Sequence, residues 1–294
     1  MAGRLDQNCV GSTRDEGMQL NEELPGAGRP RQDNGKTTGG ARLADDLVMG
    51  LRFFSRLPTG RRRHERPDLS RMARALPFTS LVIGLPPAAL LLVACWIGVP
   101  AYVAAALATG ALVAATGAMP EDALADAMDG LFGDASAERR LEIMKDSRHG
   151  TYGVVALCLY LMVRVLALGA LAAADPLAAA AIWLAAGLVA RSGALWLSVA
   201  LPAARAGGAS ASAGRVSKRD FAIGAGFAAA LALVLAGPFV GVVGVALGGL
   251  AAIGVAWAWT RACRELLGGQ TGDVIGALHA LVEIAVLTVF LTLA

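Results

Sequence analysis

Residues 221–259 read FAIGAGFAAALALVLAGPFVGVVGVALGGLAAIGVAWAW and contain no charged side chain. An uncharged run of this length is typical of a chain that crosses a lipid bilayer, since one spanning helix needs about 20 apolar residues. The run is too long for one span, and Gly237-Pro238 divides it, because proline interrupts a helix. The stretch therefore predicts two spanning helices, over 221–236 and 239–259.

The composition of the whole chain also indicates a membrane protein. Of its 294 residues, 56% are hydrophobic and 17% are charged, and the mean hydropathy is +0.57. A soluble domain has about a quarter of its residues charged. Five further apolar stretches of nearly spanning length are 79–97, 101–118, 153–174, 177–200 and 279–294. The sequence thus predicts an all-α fold, a polytopic membrane helix bundle with about seven transmembrane helices.

Positive charges predict the orientation of this bundle. The connections with Lys or Arg are 52–78 with eight, 119–152 with four, 201–220 with four and 260–278 with two. The connections that alternate with these carry none. Since loops rich in Lys and Arg stay in the cytoplasm, we expect all the charged loops on the cytoplasmic face.

The first 45 residues have a different composition from the rest. They are rich in glycine and in charged and amide side chains, without apolar periodicity. We expect a disordered cytoplasmic tail over 1–45 and an integral membrane catalytic domain over 46–294. Residues 47–57 predict a short amphipathic helix that ends before Pro58. It could lie at the membrane surface with Arg52 and Arg56 near lipid phosphates, or it could simply pack against the bundle.

Three aspartates in the loop 119–152 are the strongest chemical signal. Asp122, Asp126 and Asp129 stand at i, i+4 and i+7, so a helix places them on one stripe. Such like charges repel unless a cation lies among them, and Mg²⁺ prefers carboxylate oxygens and substrate phosphates. A solvated helix start after Pro120 would explain Asp122 but not Asp129. We therefore predict that the stripe binds a metal ion.

A second polar motif follows in residues 139–153. Lys145 and Arg148 could bind phosphate, Arg148 through two parallel hydrogen bonds. Gly150 and a second glycine three residues later would let the backbone approach a ligand closely. An ordinary positively charged loop explains the cations, but not Asp146 or the glycine pair.

A third motif, residues 268–273, places three glycines and a carboxylate on the same face of the membrane. Its exposed backbone N–H groups and Asp273 suit an anion or a metal, although a simple turn with Asp273 as a helix cap is the alternative. Further along, Glu283 lies within an apolar span. An ionisable residue there is costly and indicates function, with Arg164 or Arg191 as its partner.

These motifs resemble those of the adenosylcobinamide-GDP ribazoletransferases, also called cobalamin 5′-phosphate synthases. The matching segments are DALADAMDG at 122–130, EIMKDSR at 142–148, GGQTGD at 268–273 and FFSRLP at 53–58. The resemblance covers 46–294, with the motifs in the same order. It implies a multi-pass enzyme of the bacterial cell inner membrane that joins α-ribazole, or its 5′-phosphate, to the phosphate of adenosylcobinamide-GDP and releases GMP.

The resemblance also implies a cofactor and residue roles. The cofactor is Mg²⁺, and the implied partners are the two small-molecule substrates and membrane lipid, with no nucleic acid; a homo-oligomer is compatible with the family. The implied metal ligands are Asp122, Asp126, Asp129 and Asp273. The expected catalytic residues are Asp126, Asp146, Lys145 and Arg148, and the expected substrate-binding residues are Ser147, Gly150, Gln270, Thr271 and Arg191.

The first motif departs from the usual family pattern. Pro120 stands where the family has histidine, Glu121 where it has leucine, and Ala123 where it has glycine; Ala280 replaces an acidic residue. If that histidine were the general base, Glu121 could replace it.

Two other functions remain open on the sequence. One is a membrane phosphotransferase of the CDP-alcohol type, whose usual Asp-Gly-x-x-Ala-Arg signature lacks its arginine here. The other is a transporter, which would carry acids in mid-span on several helices.

Overall fold

The computed structural model describes residues 39–60, 68–146, 148–205 and 214–294. In this part of the chain all regular elements are helices, and the only extended contact is a bridge between Ala203 and Gln270. The helices are α1 (Gly39–Phe54), α2 (Leu69–Trp96), α3 (Ala101–Thr116), α4 (Met119–Gly133), α5 (Ala137–Ile143), α6 (Thr151–Ala174), α7 (Pro176–Ala194), α8 (Trp196–Ala200), α9 (Lys218–Leu267) and α10 (Gly272–Leu291).

Five segments in the described ranges are long and apolar enough to cross a membrane, namely α2, α6, α7 with α8, α9 and α10. Helix α3 reaches spanning length only together with α4, from which it is bent by 85°. The predicted all-α membrane bundle is confirmed. The count of seven spans is not confirmed, because five segments of the described ranges are long and apolar enough to span, or six if α3 and α4 form one bent span.

The longest helical segment, α9, consists of two helices joined at a kink, as predicted, but the break lies at Gly241 instead of at the glycine-proline step. Its non-helical residue is Gly241, with φ 70° and ψ 170°, a conformation that side chains other than glycine rarely adopt. Both ends of α9 lie close to α8. Just before α9, the Val216 N–H donates to Ser198 Oγ (3.2 Å), and just after it the Gln270 N–H donates to the Pro202 carbonyl (2.8 Å). The helix therefore leaves this region and returns to it as two arms.

Small residues allow these helices to pack closely. Helix α7 is central and packs against α2, α6, α9 and α10, and many of its buried side chains are alanines. Along α9, buried residues recur at every fourth position from Gly224 to Ala252, and all but Val240 are glycine or alanine. A Cβ added at Gly248 would lie 2.5 Å from a ring carbon of Phe290 in α10. Close packing of small residues is how helices associate in lipid, where the hydrophobic effect between them is absent.

A buried ionic network crosses the bundle at Arg164, whose side chain is only 1% exposed. Arg164 donates to Glu121 of α4 (3.1 Å) and to Glu283 of α10 (2.7 Å). Glu283 also accepts hydrogen bonds from Tyr160 of α6 (2.9 Å) and from the Trp183 indole of α7 (3.1 Å). The expected pairing of Glu283 with Arg164 is therefore observed, and four helices meet in the network.

The N-terminal prediction is only partly covered, since residues 1–38 of the predicted tail lie outside the described residues. Helix α1 begins before the amphipathic helix predicted over 47–57, although it does end before Pro58. Arg52, in the last turn of α1, donates to Thr59 Oγ1 (2.8 Å) in the segment that follows the helix. Lipid contact by these arginines stays a prediction.

We expect Glu283→Ala to destabilise the protein strongly, because it leaves Arg164 buried with one counter-ion lost. Breaking a buried pair costs about 3–5 kcal/mol. The matched control is Glu265→Ala, since Glu265 forms an exposed i,i+4 pair with Arg261 (2.9 Å), and such pairs contribute up to about 1 kcal/mol. Thermal unfolding of the purified protein in detergent measures both. Equal shifts in Tm for the two variants would contradict the structural role of the network.

Candidate functional site

A tight corner turns α4 away from α3 and across the end of the bundle. Gly117 and Ala118 both have left-handed backbone, with φ 65° and 58°. Glycine adopts this conformation freely, but alanine does so with strain of about 1 kcal/mol. Pro120 then occupies the first turn of α4, where its missing N–H is not needed. The acidic motif therefore lies on a helix that runs at 85° to the preceding one.

The four acids of α4 do not share one environment. Asp122 is exposed, Asp126 is about one-fifth exposed, and Asp129 is buried. Glu121 points into the bundle, where it pairs with Arg164. The predicted stripe thus runs from solvent to the interior, and Glu121 lies in the structural network, away from the position expected of a replacement base.

The carboxylate of Asp129 is hydrogen-bonded to the backbone at the start of α6. It accepts hydrogen bonds from the Gly150 N–H (2.6 Å) and the Gly153 N–H (2.8 Å), and so caps the start of that helix. A Cβ added at Gly150 or Gly153 would lie within 2.6 Å of an Asp129 oxygen. These glycines therefore make room for Asp129, where the sequence predicted close approach to a ligand.

The third motif brings another carboxylate to the same place. Thr271 caps α10: its hydroxyl accepts from the Val274 N–H (3.4 Å) and donates to Asp273 Oδ2 (3.1 Å). Helix α10 contacts α4 closely, since a Cβ added at Gly276 would lie 2.4 Å from that of Ala123. Asp273 at the start of α10 is thereby held beside the acids of α4.

The electrostatics indicate how close these carboxylates are. Partial burial, reinforced by the charges of Asp122 and Asp273, raises the pKa of Asp126 to about 6, whereas the nearby His149 lowers it. His149 Nδ1 lies 3.9 Å from Asp126 Oδ1. Like charges held together at the expense of stability are typical of functional sites. Asp126 is thus the centre of a carboxylate cluster formed with Asp122 and Asp273.

These carboxylates suit a metal ion that is also bound by substrate phosphate better than one that is held by protein ligands alone. Among the described residues, no three His, Cys, Asp or Glu side chains converge closely enough to hold a metal by themselves. Mg²⁺ commonly takes one or two carboxylates and fills its other positions with water and substrate phosphate. The carboxylate cluster supplies such oxygens, while Asp129 is engaged with backbone donors.

The predicted catalytic residues of the second motif lie on an exposed loop. Arg148 donates to Asp146 (2.6 Å), and these hydrogen bonds lower the pKa of Asp146 to about 2. Such a weakly basic carboxylate is a poor proton acceptor at neutral pH. Lys145 is exposed, and Ser147 lies outside the described residues.

The remaining predicted substrate-binding residues lie at different depths. Gln270 is buried beside the segment that follows α8, and its side-chain oxygen has no hydrogen-bond partner. Arg191 is buried in α7, where it lines a void of about 20 Å³ together with His279 and Glu283. That position places Arg191 in the interior, apart from the exposed second motif.

Arg205 is a residue of the site that the sequence analysis counted only as a loop cation. Its Nη2 lies 3.7 Å from Asp273 Oδ2. Arg205 belongs to no motif, and only the packing of its loop against residues 268–273 brings it there. No sequence signal could have identified it.

Comparison with known proteins gives a consistent result. The family model described as cobalamin-5-phosphate synthase matches residues 46–291. The adenosylcobinamide-GDP ribazoletransferase of Azorhizobium caulinodans is 44% identical over 252 residues, which are 84% of this chain and 95% of that protein. The enzyme of the same name from Xanthobacter autotrophicus is 44% identical over 242 residues, or 80% and 91%, and that from Brucella anthropi 38% over 253 residues, or 83% and 95%. No solved structure matches the chain.

We expect Asp126→Asn and Asp129→Asn to change stability in opposite directions. Asparagine at 126 removes a repelled charge and should raise Tm at pH 7.5 by roughly 1–3 °C without metal. Asparagine at 129 weakens the cap of α6 and should lower Tm by several degrees, since loss of a buried acceptor costs about 1–3 kcal/mol. Parallel thermal unfolding of both variants tests this, and a fall in Tm for both would contradict the assignment of Asp126.

The pH dependence provides a second test of the same charge. Because the folded pKa of Asp126 is raised from 3.8 to about 6, the folded state holds this proton more tightly than the unfolded state. Stability should therefore decline as the pH rises from about 4 to about 6. The part of this decline that is due to Asp126 should be missing in Asp126→Asn. Identical pH profiles of Tm for the two proteins would contradict the raised pKa.

Proposed function

Since the chain belongs to the cobalamin-5-phosphate synthase family, we propose that it is an adenosylcobinamide-GDP ribazoletransferase that uses Mg²⁺. In the proposed reaction, a ribose hydroxyl of α-ribazole, or of its 5′-phosphate, attacks the phosphorus of the adenosylcobinamide phosphate. A new phosphorus–oxygen bond forms, the bond to the GMP part breaks, and GMP leaves with the bonding electrons. The product is adenosylcobalamin or its 5′-phosphate.

The observation that carries this proposal is the carboxylate cluster of Asp122, Asp126 and Asp273. Two helices, α4 and α10, hold three repelling acids together beside polar loops, and a diphosphate substrate alone would be repelled by them. Mg²⁺ held by these residues would neutralise charge on the diphosphate. The protein's own contribution is to fix the acids before the substrate arrives, so no reorganisation is needed at the moment of reaction.

Asp126 is the best candidate to accept the proton of the attacking hydroxyl. A general base works best with a pKa near the operating pH. Without bound metal, the pKa of Asp126 is about 6, and that of Asp146 is about 2. Of the two carboxylates expected to act as base, Asp126 is therefore preferred to Asp146, and we propose it for the role of the family histidine that Pro120 replaces.

Cationic side chains around the cluster could bind the phosphates. Lys145 is exposed and available for this, whereas Arg148 would have to exchange its bond to Asp146 for one to the substrate. Such an exchange is consistent with a loop that reorganises on substrate binding.

We also propose that the protein lies in the bacterial inner membrane with this site facing the cytoplasm. The supporting observation is that the 18 Lys and Arg residues in the connections between the predicted spans all lie in alternate connections. The starts of α6 and α10 both contact α4, so the polar loops are close together in space as well.

The test is release of GMP by the purified protein in lipid nanodiscs, from adenosylcobinamide-GDP and α-ribazole, with and without Mg²⁺. We expect metal-dependent release that yields a cobalamin product. Asp126→Asn should lower kcat by at least about 100-fold, the lower range for loss of a general base, while the control Glu265→Gln keeps wild-type turnover. Wild-type turnover by Asp126→Asn, or release that ignores Mg²⁺, would refute the proposed mechanism.

A further inference from the structure

We propose that Arg205 and Gln270 form a phosphate-binding subsite of the substrate, next to the carboxylate cluster. This inference rests on the proposed function, and it assigns a role to a side chain outside the recognised motifs. The site is formed where the segment after α8 is joined to the loop before α10.

Backbone pairing fixes the position of this subsite. The Gln270 N–H donates to the Pro202 carbonyl (2.8 Å), and the Ala204 N–H donates to the Gln270 carbonyl (2.8 Å). Only glycine fits at position 269, because an added Cβ would lie 2.7 Å from the Pro202 oxygen and 2.9 Å from the Ala204 nitrogen. Arg205 follows Ala204 in the chain and is therefore held next to the third motif, residues 268–273.

The guanidinium of Arg205 has donors that nothing in the described protein accepts. Its Nε and Nη2 are both buried and lack a hydrogen-bond partner there. The 3.7 Å between Nη2 and Asp273 Oδ2 is an ion pair without a hydrogen bond. Buried donors are ordinarily satisfied, so two orphan donors on one side chain require an explanation.

Phosphate chemistry supplies that explanation. Nε and Nη2 form one edge of the planar guanidinium, and this edge matches two oxygens of a phosphate group. The side-chain oxygen of Gln270 is a buried acceptor without a donor, so it can take a hydroxyl or amide N–H of the same ligand. The combination fits a phosphate that carries a hydroxylated or amide-bearing group.

Arg205 differs in this respect from the cation that the sequence favoured. Arg148 is 86% exposed and already bonded to Asp146. The guanidinium of Arg205 is partly buried beside Asp273. It should bind a phosphate more strongly than the exposed Arg148 does, because charged hydrogen bonds strengthen where water is excluded. The alternative role of Arg205 is purely structural, as a counter-charge for Asp273.

Binding of inorganic pyrophosphate to the full chain in nanodiscs, measured by titration calorimetry with Mg²⁺ present, separates these two roles. Arg205→Gln should weaken binding by about 10-fold or more, the usual effect of losing a charged hydrogen bond. The matched control is Arg215→Gln, since Arg215 lies in the same connection but donates to the Val199 carbonyl. Arg215→Gln should stay within about twofold of wild type.

Arg205→Lys keeps a positive charge beside Asp273 but loses the two parallel N–H donors of the guanidinium. This variant provides the test if Arg205→Gln does not fold. A purely structural residue would be replaced by lysine without change in pyrophosphate affinity, and that result would overturn the proposal. So would a wild-type protein that binds no pyrophosphate. GMP release by the same wild-type preparation shows separately whether the proposed function holds.

KM values then identify which phosphate is bound. An increase in the KM for adenosylcobinamide-GDP in Arg205→Lys would assign the subsite to the diphosphate. An increase for α-ribazole 5′-phosphate, with the KM for α-ribazole unchanged, would assign it to the 5′-phosphate. Unchanged KM values for all three substrates would overturn the subsite.

Discussion

The paired charge of Arg164 is the constraint on which the site depends. A guanidinium buried among apolar helices is tolerable only with counter-ions, and here they come from Glu121 on α4 and Glu283 on α10. Because α4 leaves α3 at a sharp corner, it needs an anchor to the bundle. The ion pairs supply it and place α4 against α10, which is how acids far apart in sequence become neighbours.

The fold gives different surroundings to acids that look equivalent in the sequence. Asp129 is satisfied by the backbone of α6 and has a structural role, whereas Asp122, Asp126 and Asp273 repel one another and remain available. Along α4, Asp129 therefore stabilises the fold, whereas Asp122 and Asp126 remain available for function. The destabilised acids are the ones suited to a metal and a diphosphate, as expected when a site is held in its working geometry by its surroundings.

Composition and charge were sufficient for the class of fold, because the bilayer allows few alternatives to a helix bundle. The positions of the helix ends were harder to predict: the glycine-proline step correctly predicted two helices within α9, but the break between them lies at Gly241, three residues past the proline. Motif order was sufficient for the family. The roles of single residues were not, since the inward turn of Glu121, the capping by Asp129 and the approach of Arg205 depend on tertiary packing that no local pattern encodes.

The central claim is that the carboxylate cluster of Asp122, Asp126 and Asp273 holds the metal jointly with the phosphates of the substrate. Electron paramagnetic resonance of Mn²⁺, used in place of Mg²⁺, measures this directly in the purified protein with pyrophosphate present. The account predicts one bound Mn²⁺ per chain, lost in Asp126→Asn and in Asp273→Asn while both variants stay folded, and retained in Glu265→Gln. Mn²⁺ binding that is equal in wild type and in both aspartate variants would contradict it.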